Sequence, residues 1–252
     1  MKAIMLAAGL GSRLSGGDEN HHPKVLLQFG GLTLLERHVT ALKGLGVESL
    51  TLVTGYRAGD INRVLDDLRV GGFVRVVENP HYRKGSVVSL WAARAALTSG
   101  GDVVFMDADV LYHPKMLERL IHAEAANCFL YDREFEPSDE PVKLCVRGGH
   151  LVEFRKIISG VYDQTGEWVG FLKLSEPYAV RLASTLEKFV ADGRLDEPME
   201  EAVRELLQSS PAGAFGICDV TDIPWIEIDF AEDVVKAREI ILPAIEAVKD
   251  AS

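Results

Sequence analysis

Cysteine is scarce in this chain of 252 residues, which contains Cys128, Cys145 and Cys218 and no others. The three are far apart, form no CxxC pair and lack the clustered histidines and cysteines of a structural zinc site. An odd number of isolated thiols suits a reducing compartment, so we expect the protein in the cytoplasm. A disulfide scaffold is unnecessary, because a chain of this length buries roughly three quarters of its unfolded surface on folding.

Long apolar runs and runs of basic residues are absent as well. The apolar stretch at 3–8 is shorter than a signal-peptide core, and no later stretch approaches the ~20 residues of a membrane-spanning helix. The chain has 27 basic and 38 acidic residues and a formal net charge of −11. This excess of negative charge disfavours nucleic acid and anionic membranes as partners, and we expect neither. Small anions held by a metal and a few local cations remain compatible with it.

The hydrophobic pattern of the first half alternates between strands and helices. Apolar strands are expected at 2–8, 50–54, 73–77 and 103–106, and helices at 34–45, 58–68 and 87–97. Thr33 is expected to cap the first of these helices. This βαβαβαβ order predicts an α/β fold with a Rossmann-like, mostly parallel mixed sheet and helices on both faces. Ligands of such sheets bind at the carboxyl ends of the strands.

The second half is less regular. After Pro114 we expect helices to about residue 125, at 178–190, at 199–207 and from about 231, with strands at 127–131, 142–146, 168–174, 214–220 and 225–228. An acidic loop at 132–140 separates two of these strands. Without an internal repeat or a linker, we interpret 1–252 as one domain, divided into a first half at 1–125, a second at 126–228 and a terminal helix at 229–252.

The loop after the first strand is rich in glycine. It runs Leu6-Ala7-Ala8-Gly9-Leu10-Gly11-Ser12-Arg13-Leu14 and is followed by Pro23-Lys24. Small residues let backbone N–H groups approach a ligand, and Arg13 and Lys24 supply positive charge for a polyphosphate. A dinucleotide-binding fingerprint requires glycine at the position of Leu14, and a Walker loop requires a Gly-Lys-Ser/Thr ending that is missing. A purely structural turn is the remaining alternative.

These motifs resemble the signature of the nucleoside-triphosphate transferases that make nucleotide sugars and CDP-alcohols. Asp107-Ala108-Asp109 and Trp225-Ile226-Glu227-Ile228-Asp229 fall where that family carries metal-binding acids. Through Gly85-Ser86-Val87-Val88-Ser89-Leu90 the chain is similar to cytidylyltransferases that act on phosphocholine, inositol phosphate or small phosphonates. The resemblance implies a glycosyltransferase-A-like fold, CTP or another nucleoside triphosphate as donor, a small phosphorylated or phosphonate acceptor, and Mg²⁺.

The resemblance also assigns the site residues. For nucleotide binding it implies Leu6, Ala7, Ala8, Gly9, Gly11, Ser12, Arg13, Lys24, Gly85, Ser86 and Asp107. For the metal it implies Asp109 and Asp229, each of which follows an apolar run and should therefore lie at the carboxyl end of a strand. Arg13, Lys24 and Lys156 are the implied catalytic residues, with Lys156 similar to a lysine that binds the acceptor phosphate in sugar-phosphate relatives.

The chemistry explains why these residue types are needed. Nucleotidyl transfer is an in-line displacement at the α-phosphorus, in which an acceptor oxygen attacks and pyrophosphate leaves. Both reactants are anions, so catalysis consists mainly of positioning and of charge neutralisation by cations and by Mg²⁺ held on one or two carboxylates. The attacking oxygen is already ionised at neutral pH, and no general base is required.

Several alternatives stay open at this point. Asp107 and Glu227 lie two residues before the expected metal ligands, on the same strand face, and either joins the metal or serves locally, Asp107 as a turn cap and Glu227 in an ion pair. Ser86 either reads the base or caps its helix. The competing functions are a sugar-1-phosphate uridylyl-, guanylyl- or thymidylyltransferase and a non-catalytic nucleotide-binding regulatory module. A homodimer is left open.

Overall fold

The computed structural model describes residues 1–16, 21–135 and 138–249. Residues 17–20, between the glycine-rich loop and Pro23, part of the expected loop at 132–140, and the end of the expected terminal helix at 250–252 lie outside these residues. Within them the three cysteines form no disulfide. No described helix is both long enough and apolar enough to cross a membrane.

The first half of the chain alternates strands and helices as predicted. Its elements are β1 (Lys2–Ala7), α1 (Ser12–Ser15), a 3₁₀ turn (Lys24–Leu26), β2 (Gln28–Phe29), β3 (Leu32–Thr33), α2 (Leu34–Gly44), β4 (Leu50–Thr54), α3 (Ala58–Asp67), β5 (Val74–Glu78), α4 (Ser86–Ala92), α5 (Arg94–Leu97), β6 (Val103–Asp107) and β7 (Val110–Tyr112). Thr33 caps α2 as expected, because its hydroxyl accepts from the backbone N–H of Glu36 in a capping box. The expected helix at 87–97 is divided in two at Ala93.

The second half adds shorter strands and two long helices. Its elements are α6 (Lys115–Ile121), β8 (Cys128–Asp132), β9 (Lys143–Arg147), β10 (His150–Arg155), β11 (Gln164–Leu174), α7 (Glu176–Ala191), α8 (Met199–Gln208), β12 (Gly216–Asp219), β13 (Trp225–Glu227), α9 (Ala231–Lys236), a π-helical segment (Ala237–Ile241) and α10 (Leu242–Lys249). Strand β10 was not predicted, because it lies at the edge of the sheet and only some of its residues are buried.

The four strands of the first half form the parallel part of a nine-stranded sheet, in the order β6-β1-β4-β5. The chain proceeds from β1 to β4 and β5 on one side and returns to β6 on the other. A crevice therefore opens between the carboxyl ends of β1 and β6, where doubly wound sheets bind their ligands.

The rest of the sheet is built around β11. This strand is antiparallel to β6, β8 and β9, while β12 runs parallel to β8. Its pairing with β8 is interrupted between Trp168 and Leu172, where Gly170 has a φ of +87° that favours glycine. This bend lets one strand serve both the parallel sheet and the strands of the second half.

Helices cover both faces of the sheet. On β1, Ile4 points to the face covered by α4, α5, α7 and α8, whereas Ala3 and Met5 point to the face covered by α2, α3 and α6. The C-terminal helices pack separately over β7 and β13, through Leu111 and Ile228. The predicted α/β class, with a mostly parallel mixed sheet and helices on both faces, is confirmed.

Candidate functional site

A cleft of about 970 Å³ opens at the crevice between β1 and β6. Its walls include every predicted site residue except Gly85, namely Leu6, Ala7, Ala8, Gly9, Gly11, Ser12, Arg13, Lys24, Ser86, Asp107, Asp109, Lys156 and Asp229. Residues from both halves of the chain therefore line one cavity, as a site that binds a donor and an acceptor side by side requires.

The glycine-rich loop begins the cleft at the end of β1. Gly11 lies at the N-cap of α1 with a φ of +63°, and a β-carbon there would come within 3.3 Å of the side chain of Lys24. A β-carbon on Gly9 would meet no atom within 4 Å. Gly11 is thus required for a left-handed turn packed against Lys24, whereas Gly9 lies beside open space in the cleft.

Three carboxylates from distant parts of the chain meet in the cleft, in contact with cations of the glycine-rich connection. Strand β13 pairs with β7, and this pairing places Glu227 opposite Val110. One residue further, the backbone N–H of Ile228 donates to the carbonyl of Asp109 at 2.9 Å. One carboxylate oxygen each of Asp109, Glu227 and Asp229 then lies within 4.8 Å of the others. An all-oxygen donor set of this kind fits Mg²⁺ or Mn²⁺.

Lys24 lies between two of these carboxylates. Its Nζ donates to Asp109 Oδ2 at 2.9 Å and to Asp229 Oδ1 at 2.7 Å, and Arg13 Nη2 donates to the same Asp229 oxygen at 2.9 Å. Burial opposes the charge on Lys24, but the two aspartates outweigh it and raise its pKa. Lys24 is therefore a permanent cation in contact with the expected metal ligands.

Asp229 is held in place by its own backbone. Its N–H donates to Asp233 Oδ2 at 2.9 Å, and the N–H of Phe230 donates to the same oxygen at 2.7 Å. Asp233 therefore uses one carboxylate oxygen to fix the turn that presents Asp229, a role that the sequence did not indicate.

The local roles considered for Asp107 and Glu227 are wrong. Among the described residues, none forms a hydrogen bond with the side chain of Asp107 and none forms an ion pair with Glu227. Burial, followed by the nearby Asp109, raises the pKa of Asp107 well above its usual value. Solvent reaches the side chain of Glu227 through the open cleft. The protein around it, followed by Asp109 and Asp229, nevertheless raises the pKa of Glu227 to about 8.

Ser86 does not cap its own helix, so that alternative is also wrong. Gly85 holds the N-cap position of α4, while Ser86 Oγ accepts from the backbone N–H of Met199 at 2.8 Å. A β-carbon on Gly85 would lie 2.0 Å from the carbonyl oxygen of Glu197, so only glycine fits there. The Ser86 hydroxyl keeps its proton and a second lone pair for a ligand, and the residue lines the cleft.

Lys156 follows β10 and meets the loop before β9. Its Nζ lies 3.7 Å from Glu140 Oε2, which also accepts from Arg13 Nη1 at 2.7 Å. Glu140 thus links a cation of the glycine-rich loop to the cation expected on the acceptor side. The sequence marked Glu140 only as part of an acidic loop.

His38 on α2 is a residue that the sequence gave no reason to select. Its fully buried ring lies 5.4 Å from that of Tyr112, and Nε2 is 3.1 Å from the carbonyl of Ala108, between Asp107 and Asp109. Burial lowers the pKa of His38 to about 4, so the ring is neutral and Nε2–H donates to this carbonyl. His38 therefore ties the aspartate turn to the helix behind it.

This depressed pKa predicts a loss of stability in mild acid. In the unfolded chain His38 binds a proton below its ordinary pKa of about 6.5, whereas in the folded protein it binds one only below about pH 4. The unfolding free energy therefore falls as the pH is lowered from about 6.5 to about 4. Between about pH 7.5 and about pH 5, the wild type should lose about 2 kcal/mol more unfolding free energy than His38→Gln, measured by urea denaturation. Parallel pH profiles for the two proteins would show that His38 is not buried and neutral.

Comparison with known proteins identifies the family. The family model of the MobA-like NTP transferase domain matches residues 3–159. A bifunctional IPC transferase and DIPP synthase from Rubrobacter xylanophilus is 32% identical over 244 residues, which cover 95% of this chain and 52% of that protein. A CMP-5'-(3-aminopropyl)phosphonate synthase from Streptomyces rubellomurinus is 29% identical over 239 residues, covering 91% of this chain and 37% of that protein. The chain thus spans about half or less of the length of these curated relatives.

A solved structure supports the fold over the whole chain. The inositol-1-phosphate CTP transferase from T. maritima superimposes with a TM-score of 0.75 and 21% identity, covering 99% of this chain and 96% of that one. The membership predicted from the glycine-rich loop and the two acidic stretches is confirmed. This chain belongs to the MobA-like NTP transferase domain family.

Proposed function

We propose that this protein is a Mg²⁺-dependent cytidylyltransferase that transfers CMP from CTP to the phosphate or phosphonate of a small acceptor. In this reaction an acceptor oxygen forms a bond to the α-phosphorus while the bond to the β-phosphate oxygen breaks and pyrophosphate leaves. The carrying observation is the meeting of Lys24 and Arg13 with Asp109, Glu227 and Asp229 at the crevice between β1 and β6. The names of the relatives support the choice of CTP.

Asp109 and Asp229 would hold the metal, with Glu227 as a third oxygen donor. A divalent metal ion fits here because the three carboxylates lie close together, and two of them already bind a positive charge, the ammonium of Lys24. When bound, Mg²⁺ neutralises the phosphates of the donor and the charge of the leaving pyrophosphate.

The cations of the cleft divide the remaining work. Lys24, which is largely enclosed, stabilises charge on the α-phosphate during transfer, and Arg13, 42% of whose side chain is exposed, holds the outgoing pyrophosphate. Lys156 receives the phosphate of the acceptor from the other side. No residue has to remove a proton, because the attacking oxygen is already ionised.

The division of the chain follows from these roles. Residues 1–125 carry the nucleotide side of the cleft, residues 126–228 the acceptor side, and the segment 229–252 begins with a metal ligand. Ala8 and Gly9 cover one side of the base, and the Gly85-Ser86 turn reads its edge. The cytoplasmic location stays a prediction that rests on the unpaired cysteines.

Nucleotide choice tests this proposal. Pyrophosphate release should be measured with CTP, UTP, dTTP, GTP and ATP against phosphoalcohols, aminophosphonates and sugar phosphates. CTP should exceed UTP by a factor of at least about 10² in kcat/KM, because a site that accepts from the exocyclic amine leaves buried groups unpaired with a carbonyl. Purines should be very poor donors.

Ser86→Ala tests the assignment of the base-reading residue. This variant should reduce the preference for CTP over UTP more than it reduces the rate with CTP. Preference of the wild type for UTP or dTTP with a hexose 1-phosphate would favour the sugar-nucleotide alternative. Absence of pyrophosphate release with every combination of nucleotide and acceptor would favour the regulatory module. The presence of Arg13, Lys24, Asp109 and Asp229 argues against that module, because a protein that had lost the chemistry should lack at least one of them.

A further inference from the structure

The second half of the chain contributes an acidic end to the cleft, formed by Asp132, Glu167 and Trp225. Asp132 ends β8 and lies directly across from Glu167 on β11, while Trp225 begins β13. The three come from separate strands and share one wall. None of them has a role in the nucleotidyl chemistry described above.

Asp132 is a fixed acceptor. It is buried, with its Oδ2 accepting from Trp225 Nε1 at 2.7 Å and its Oδ1 accepting from the backbone N–H of Glu134 at 2.8 Å. Two donors on separate oxygens hold the carboxylate in one orientation. The indole of Trp225 is fixed by the same contact.

Glu167 lacks a partner. No described residue forms a hydrogen bond or an ion pair with its carboxylate, and it faces the negative charge of Asp132. In the pairing of β11 with β9, Glu167 lies opposite Lys143. The ammonium of Lys143 is already used, because it donates to the carbonyls of Ser138, Pro141 and Lys156. Lys236 is the other nearby cation. Burial, followed by Asp132, nevertheless raises the pKa of Glu167 to about 7.

A second carboxylate in the same cleft is also unsatisfied. Glu200, in the first turn of α8, lines the cleft with its Oε2 buried, and this atom has no hydrogen-bond partner among the described residues. Burial raises the pKa of Glu200 as well. The acceptor half of the cleft thus contains a buried oxygen, Glu200 Oε2, that no described protein group satisfies, besides the half-buried carboxylate of Glu167. Such groups call for a ligand that brings its own donors.

The acidic end lies a short distance from the expected metal ligands. Trp225 and Glu227 are two residues apart on β13 and share a face, a spacing of about 6.8 Å along a strand. A two-carbon spacer between phosphorus and nitrogen spans about 4 to 5 Å, from bonds of about 1.5 Å each. Glu227 lies with Asp109 and Asp229, and Trp225 contacts Asp132, so β13 links the expected metal ligands to the acidic end. A short aminoalkyl chain on a phosphorus group at the metal ligands therefore extends along this strand toward Asp132.

We propose that the acceptor carries a primary ammonium group on a short chain, and that Asp132 and Glu167 bind this group. The proposal rests on the proposed function and names the acceptor class, an aminoalkyl phosphate or aminoalkylphosphonate. A primary ammonium has three N–H donors for these carboxylates and a quaternary ammonium has none. The hydroxyls of a neutral polyol donate hydrogen bonds but bring no positive charge to the two carboxyl groups.

Two acceptors that differ in one group test the proposal. 2-Aminoethylphosphonate and 2-hydroxyethylphosphonate should be compared in CTP-dependent pyrophosphate release and in calorimetric binding to the protein, with phosphocholine and inositol 1-phosphate as further acceptors. The wild type should prefer the amine over the hydroxyl compound by at least about 50-fold in kcat/KM and in affinity. Glu167→Gln and Asp132→Asn should each reduce this ratio at least tenfold. Glu187→Gln, an exposed position on α7, is the matched control and should keep it.

The outcomes separate the two proposals. Equal use of both phosphonates, or preference for inositol 1-phosphate or phosphocholine, would overturn the ammonium site while leaving the cytidylyltransferase in place. So would an amine preference that survives in both carboxylate variants. Calorimetric preference for the amine without pyrophosphate release would support the ammonium site and overturn the proposed function. If the wild type neither releases pyrophosphate nor binds the amine in preference, both are wrong.

Discussion

Asp229→Asn is expected to lower kcat by a factor of roughly 10² to 10³ while the protein stays folded. The substitution keeps the size of the side chain and its contact with Lys24 but removes one of the charges that attract a divalent cation. The activating concentration of Mg²⁺ or Mn²⁺ should rise in parallel. Asp109→Asn should behave alike, because its carboxylate contacts the same ammonium group.

The measurement is pyrophosphate release across a metal titration, together with thermal unfolding of each variant. Asp192→Asn, at an exposed position after α7, is the matched control and should leave both unchanged. Glu227→Gln tests whether Glu227 is a third metal ligand. The substitution should raise the activating metal concentration if Glu227 binds the metal and leave it unchanged if it does not. Full activity of Asp229→Asn would sink its assignment as a ligand, and loss of folding would identify it as a structural carboxylate.

The parallel half of the fold was predictable because its signals are local. Strands at 50–54 and 103–106 were expected from continuous apolar runs and are observed with those boundaries or one residue more. The sequence also predicted that ligands bind at the carboxyl ends of these strands, and the observed order β6-β1-β4-β5 places the end of β1 beside a crevice of the doubly wound type. The crevice beside the glycine-rich loop could therefore be located without coordinates.

The antiparallel half was less predictable because its pairings join distant segments. Strand β11 was expected at 168–174 and instead begins at Gln164, because its first four residues are polar or glycine and become a strand only by pairing with β9. The proximity of Asp109 to Asp229 depends on the pairing of β7 with β13, which no local pattern reveals. Resemblance to a family supplied that pair, and physical reasoning from the residues alone did not.

The partners of the site residues were the least predictable part. Nothing in the pattern of α2 distinguishes His38, which occupies an ordinary buried helix position and becomes informative only beside the carbonyl of Ala108. Ser86 was weighed as a cap for its own helix, yet its hydroxyl accepts from Met199, more than a hundred positions away. Contacts of this range require the assembled tertiary structure.

Lys24→Met is expected to affect catalysis and metal binding in opposite directions. Loss of the ammonium should lower kcat by roughly 10² to 10³, because charge on the α-phosphate is no longer stabilised. In the absence of nucleotide the same substitution should tighten Mn²⁺ binding at least tenfold, since a unit charge at about 4 Å contributes roughly 4 kcal/mol at the effective dielectric of a protein surface. Lys24 contacts both Asp109 and Asp229 and so competes with a metal for them.

Pyrophosphate release and Mn²⁺ binding by electron paramagnetic resonance provide the two readouts. Lys188→Met, at an exposed position on α7, controls for the loss of a lysine and should change neither. Arg13→Ala should mainly raise the KM for CTP, because Arg13 is more exposed and shares its contacts between Asp229 and Glu140. Weaker Mn²⁺ binding in Lys24→Met would show that the ammonium supports the metal site rather than competing for it. Near-wild-type kinetics in both variants would refute the assignment of the loop cations to phosphate and restore the structural turn as its explanation.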